Sequence, residues 1–151
     1  MRFENKISVR ASKASLDGLL SDIPTVARFI PGVESVTDLG GNAYQGTMKV
    51  RVGPMAFTFA GKVEVDQDLP EGRWEMRAQA RDPRGGTGVT ASINVQMTET
   101  DENVTELDIV SDVQFLGRLG EMGQPLIRKK AASTIQEFAT NLQQAVDNSR
   151  E

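Results

Sequence analysis

The chain has 151 residues, 38% of them hydrophobic and 25% charged, with 14 glycines and a formal net charge of -4. This length and composition describe one domain spanning residues 1–151 with an ordinary core, and they exclude disordered and fibrous classes. Cysteine and histidine are both absent, which removes disulfides, zinc and thiolate sites, Ser-His-Asp triads and the usual neutral-pH general base, while the acidic balance argues against nucleic acid as a partner.

The N-terminus, MRFENKISVR, alternates charged with apolar residues and lacks the apolar core of a signal peptide. No run approaches the ~18 apolar residues of a membrane span. A cytoplasmic location is therefore expected.

In chain order, Phe3 to Val9 alternates as a strand, with Phe3, Asn5, Ile7 and Val9 on one face and Glu4, Lys6 and Ser8 on the other. Ser12 or Ser15 can cap a short helix through Leu16, Leu19 and Leu20, and a second short helical turn runs from Pro24 to Ile30 before Pro31-Gly32. Val33 to Leu39, Tyr44 to Val52 and Phe57 to Val65 then read as three strands separated by Gly40-Gly41-Asn42 and Gly53-Pro54. Trp74 to Arg81, Gly88 to Met97 and Thr105 to Phe115 complete seven strands, and the connections are too short for parallel crossovers. Beyond Gly117 the period becomes helical, with Leu119, Met122, Leu126, Ala131, Ile135, Phe138, Leu142 and Ala145 or Val146 on one stripe. The expected class is α+β: a seven-stranded antiparallel sheet curled around one long C-terminal helix, with two short helices after strand one.

Most motifs have plain structural explanations. Asp82-Pro83-Arg84-Gly85 fits a type I turn, and the Gly-Gly-Thr-Gly that overlaps it lacks the Lys-Ser or Lys-Thr pair and the following helix of a phosphate loop. Asp66-Gln67-Asp68 opens like a calcium loop, but Pro70, Glu71 and Arg77 occupy the positions that motif needs, so a turn is expected. Glu106, Asp108 and Asp112 alternate with Leu107, Ile109 and Val113, which assigns these acids to the solvated face. Arg128-Lys129-Lys130 is too short for a polybasic anchor and reads as a solvated helix face. Gly117, Gly120 and Gly123 leave two readings open: a bare helical face that something approaches, or a fraying helix start. Likewise, Pro125 lies in the first turn of a helix beginning near Gln124 or kinks one that begins near Gly117.

Four segments carry a family resemblance: Pro31-Gly32-Val33-Glu34-Ser35-Val36, Tyr44 through Pro54 (YQGTMKVRVGP), Asp82-Pro83-Arg84-Gly85-Gly86, and Phe115 through Gly123 (FLGRLGEMG). In order and spacing they resemble the CoxG family, that of the carbon monoxide dehydrogenase G subunit, within the START-like helix-grip superfamily. The resemblance implies an apolar cavity between sheet and long helix, in proteins that assist molybdenum hydroxylases or couple them to a membrane, and it carries no defined catalytic residues. It also implies pairing of strand one with strand seven, placing Lys6 and Arg10 on the outer face with the acids. Family members often have a tail beyond the domain that can reach a membrane, whereas this sequence stops at Asn148-Ser149-Arg150-Glu151. Membrane contact is therefore expected to be at most peripheral, at the inner face.

The inward stripes place Met48, Val50, Phe57, Phe59, Trp74, Met76, Ile93, Val95 and Phe115 opposite Leu119, Met122 and Leu126. The candidate ligand-binding residues are Phe57, Trp74, Met76, Ile93, Phe115, Leu119 and Met122, with the cavity open toward the start of the helix and Trp74 as its reporter. No catalytic residue, metal or cofactor is assigned. The leading reading is a noncatalytic accessory protein that binds a lipid-like or quinone-like small molecule and assists a molybdenum hydroxylase. The alternatives are a cyclase- or hydrolase-like enzyme on the same fold, using Tyr44, arginine or carboxylates, and a ligand-free protein-interaction module.

Overall fold

In the computed structural model, which describes residues 1–149, seven strands form one antiparallel sheet. They are β1 (Arg2–Val9), β2 (Val33–Gly40), β3 (Ala43–Val52), β4 (Met55–Asp68), β5 (Arg73–Asp82), β6 (Thr87–Asp101) and β7 (Val104–Leu116). Helices α1 (Lys13–Leu20) and α2 (Ile23–Ala27) follow β1, and α3 (Gln124–Ser149) closes the described chain. The strand order is β1-β7-β6-β5-β4-β3-β2, so β1 and β2 are the two edges. Arg150 and Glu151, on which the expectation of a missing tail falls, lie outside the described residues.

Alternation sets the register. Ile7 pairs with Leu107 and Asn5 with Ile109, which turns the apolar sides of both strands inward. Lys6 consequently meets Asp108 at 3.7 Å and Glu106 at 3.9 Å on the outer face, and Arg2 meets Asp112 at 3.9 Å. Arg10, just past β1, donates its backbone N–H to Gln143 of α3. The strands run beyond their apolar cores by one to four residues, because hairpin pairing continues into polar ends. Asp66, Gln67 and Asp68, expected in a turn, instead finish β4, and Asp66 pairs with Arg77 across the strands at 3.1 Å.

Ser12 caps α1 by accepting the Ser15 backbone N–H. At the other end, the glycine triplet is punctuation before α3. Gly117 and Gly123 both adopt positive φ, 75° and 88°, around a single 3-10 turn at Gly120–Met122. Only glycine takes that backbone region at no steric cost, so the regular helix starts afresh at Gln124 with Pro125 in its first turn. The interruption also resets the helical phase. Leu126, expected on the sheet-facing stripe, is 38% exposed, and Ile127 is buried in its place.

Two clusters make up the core. The first joins Ile7, Val9, Leu16, Leu20, Trp74, Leu107, Leu142 and Val146, uniting β1, the short helices and the second half of α3. The second joins Val52, Phe57, Phe59, Leu119 and Ile127 at the start of α3. Leu142 and Val146 are 0% and 1% exposed, and burial of such side chains contributes about 1.5 to 3 kcal/mol each. The Asn141 side chain fixes this half of the helix further by donating to the Phe29 carbonyl at 2.9 Å.

Candidate functional site

The concave face between the two clusters is not fully covered. On α3 the sheet-facing stripe runs through Ile127, Lys130, Thr134, Phe138 and Leu142 at three- and four-residue steps, with Ile135 beside it, and only the first and last are fully buried. A lysine and a threonine stand where an apolar stripe would put bulk. Against them on β3, Met48 and Val50 are only half-buried although alternation turns them toward the helix. An open cleft of about 530 Å³ results, bounded by Pro31 and Gly32, by Met48 and Val50, by Phe57 of β4 and by Lys130 and Thr134.

Gly32 shapes one wall. It has φ of 91°, and a Cβ there would run into the Lys49 carbonyl; its own carbonyl accepts the Lys49 N–H at 2.8 Å. The connection from α2 can therefore lie flat against β3, which leaves room between it and α3.

The opposite rim is the β5–β6 turn. Asp82 is 4% exposed and accepts four hydrogen bonds: Thr58 N–H at 2.9 Å, Arg84 N–H at 2.9 Å, and Arg84 Nε and Nη2 at 3.2 and 3.0 Å. The Arg84 side chain foremost, then the two backbone donors, hold the Asp82 carboxyl well below the usual carboxylate range, while the same contacts push Arg84 up. Asp82-Pro83-Arg84-Gly85 is thus a latched turn. Its arginine lines both the large cleft and a smaller one of about 190 Å³ that also touches Phe57, Thr87 and Arg118.

The sequence candidates separate into groups. Phe57 lines the cleft, while Leu119 is buried with it in the second cluster and Phe115 and Met122 pack against that cluster. Trp74 is buried in the first cluster, with Ile93 packed against it. Met76 is half-buried opposite Ile93 in the pairing of β5 with β6. Tyr44 lies on the same face of β3 as Met48, outside the cleft lining; burial, then Asp38 and Asp22, push its hydroxyl pKa up.

Sequence reasoning missed Lys130. Arg128 and Lys129 are exposed as expected, and Arg128 stacks 5.3 Å over the Phe3 ring, but Lys130 is half-buried and turned into the cleft. The available signal was its spacing of three from Ile127 and four from Thr134, which a run of three cations disguises.

Among the described residues no cluster of acids could hold a metal ion, and no helix is long and apolar enough to cross a membrane. The site is a lateral, apolar-floored cleft with a latched arginine on its rim. The sheet wrapped on one long helix, with a cleft between them, defines the START-like class, and solved structures share it. A conserved protein from Geobacillus kaustophilus superposes with a TM-score of 0.89 at 17% identity, covering 99% of this chain and 97% of that one. The Zhui aromatase/cyclase from Streptomyces sp. R1128 gives 0.73 at 14% identity, covering 100% and 96%. A START superfamily protein from Mycobacterium smegmatis gives 0.69 at 16% identity, covering 97% of each. The sequence matches no curated protein. It does match the CoxG family, that of the carbon monoxide dehydrogenase G subunit, over residues 6–147, and the chain belongs to that family.

Proposed function

We propose that this CoxG-family protein is a noncatalytic accessory protein that holds a hydrophobic small molecule, lipid-like or quinone-like, in the cleft between β3, β4 and α3, and assists a molybdenum hydroxylase of the carbon monoxide dehydrogenase type. The observation that carries the binding part is the incomplete cover between the two core clusters. A cleft of about 530 Å³ falls within the ~300 to 1,000 Å³ usual for small-ligand sites, and Met48, Val50 and Phe57 give it an apolar wall. Family membership supports the accessory role.

The cyclase reading draws only on shared fold, which does not carry activity. It needs a polar group poised for proton transfer inside the cleft. Lys130 and Thr134 line the cleft with no carboxylate beside them, Asp82 is already committed to Arg84 and Thr58, and Tyr44 stands outside the lining. The ligand-free reading needs a contiguous exposed apolar patch. The exposed large apolar residues are Leu39, Leu116 and Leu126, on β2, at the end of β7 and at the start of α3.

The test is native mass spectrometry of protein purified without detergent, before and after organic extraction. One copurifying apolar molecule per chain is expected, and it should be lost on extraction and in Met48→Trp, which fills the cleft. A bare mass, together with no uptake of either a short-chain quinone or a fatty acid by the extracted protein, defeats the binding reading. For the assisting role, loss of hydroxylase activity in cells lacking this protein, restored by the wild type but not by Met48→Trp, is the expected result.

A further inference from the structure

The charge around the cleft is one-sided. The protein carries a net charge of -4, yet the residues bordering the large cleft include Lys49, Arg51, Arg84 and Lys130 and no carboxylate. The adjoining small cleft adds Arg118, and its only acid, Asp82, is neutralised by Arg84 at 3.0 Å. Lys49 is offset in part by Glu34 at 3.5 Å. By strand alternation Lys49 and Arg51 belong to the outer side of β3, so they set the field at the rim rather than fill the interior.

Lys130 is different. It sits on the sheet-facing stripe of α3, one turn before Thr134, and no salt bridge to it is formed among the described residues. Lys130 is a half-buried residue on the cleft wall, and its ammonium has no salt-bridged anion among the described residues to compensate it. The Thr134 hydroxyl donates to the Lys130 carbonyl at 2.8 Å, which ties it to the helix wall. Met48, Val50 and Phe57 supply no hydrogen-bonding side chain across the cleft. An apolar wall facing a lone inward cation, under a cationic rim, matches a molecule with an apolar body and an anionic head.

We infer that the cleft takes an anion-headed amphiphile, a long-chain carboxylate or alkyl phosphate, with its head on Lys130 and its chain against Met48, Val50 and Phe57. This rests on the reading of the cleft as a ligand site and narrows it to a chemical class. Arg84 is paired with Asp82 at 3.0 Å, so that pair borders the mouth without net charge and Lys130 remains the inward cation. The charged pairing raises the affinity of the acid over its uncharged analogue by about tenfold or more, the range of a hydrogen bond to a charged group.

Native mass spectrometry and calorimetry on the extracted protein test this with dodecanoate, dodecyl phosphate, dodecan-1-ol and inorganic phosphate. The anionic amphiphiles should bind about tenfold tighter than the alcohol. Lys130→Met should remove that preference, and Lys130→Arg should keep it; circular dichroism checks that both variants fold. Equal binding of acid and alcohol by the wild type, or an unchanged preference in Lys130→Met, overturns the inference and leaves the apolar cleft standing. Binding of none of the chains overturns both. Saturable binding of inorganic phosphate with none of dodecyl phosphate identifies a free-anion site and overturns the amphiphile.

Discussion

If the core consists of two packed clusters with a gap between them, truncations of similar size should differ sharply by position. Leu142 is 0% exposed in the cluster that docks the second half of α3. Leu142→Ala removes three carbons, about 2.4 kcal/mol of transfer free energy at ~0.8 kcal/mol each, and leaves an enclosed void that the neighbours fill only in part. The total should be about 3 to 4 kcal/mol, within the range of roughly 2.7 to 5.0 for such changes. Met48 borders the cleft and is half-buried. Met48→Ala opens no enclosed void, since its surroundings are already reachable by solvent, and should cost about 1 kcal/mol. For a protein of this length, roughly 2 to 4 °C of melting temperature accompanies each kcal/mol, so the two variants should melt about 10 °C and about 3 °C below the wild type. Urea titration followed by circular dichroism supplies the free energies. Equal losses at the two positions would mean that the cleft is a filled core, and a loss under about 1 kcal/mol for Leu142→Ala would mean that α3 is not docked as described.

Three further outcomes follow from the site. Because the folded-state pKa of Asp82 lies below its unfolded value, the latch contributes fully above the unfolded pKa of about 4 and is lost as pH falls through the folded one; the gap in urea midpoint between wild type and Asp82→Asn should be constant above about pH 5 and shrink below about pH 4, and a gap that widens on acidification refutes the latch. Gly32→Ala imposes a Cβ on the Lys49 carbonyl at a positive φ and should destabilise by more than about 1 kcal/mol, with altered ligand uptake; a neutral result in thermal melts would mean that the wall can move. Trp74, at 5% exposure within the first cluster and outside the cleft lining, should emit as a buried indole, follow global unfolding and stay unchanged on titration with a short-chain quinone or a fatty acid; a ligand-saturable change in Trp74 emission would place the ligand elsewhere.

Strands were legible because a half-buried antiparallel sheet writes a period of two directly into the chain. Glu106 and Asp108 alternating with Leu107 and Ile109 leave one choice of face, and the β1–β7 register follows once both strands are read that way. The start of α3 was legible only as a choice. Gly117, Gly120, Gly123 and Pro125 announce a break, but whether it kinks a helix or begins one depends on backbone dihedrals, and with the phase unset Leu126 was placed where Ile127 belongs.

The cleft itself was less legible, for a physical reason. Which inward residues lie under α3 and which beside it depends on where the helix crosses the sheet. That is fixed by contacts far apart in sequence, such as Asn141 with Phe29 and Leu142 with the β1 and β7 cluster. An inward stripe names residues on a face and cannot say which of them the helix covers. Phe57 is shared by both answers because it stands at the boundary between the second cluster and the cleft.

A protein can keep such a gap because the two clusters are held by different elements. The first is secured by the short helices, with Lys13 bridging Asp17 at 3.0 Å and the Leu69 carbonyl at 2.8 Å, and Thr105 donating to the Ala11 carbonyl at 2.9 Å. The second is secured by the end of β3, the start of β4 and the 3-10 turn before α3. A 26-residue helix spans about 39 Å at 1.5 Å per residue, long enough to be pinned at both ends while its middle bridges a void. The side chains over that void need not be apolar to keep the fold, which is why a lysine is tolerated at position 130. Under the proposed ligand reading, its presence on an otherwise sheet-facing stripe follows from an anionic head in the cleft rather than from what the helix packs against.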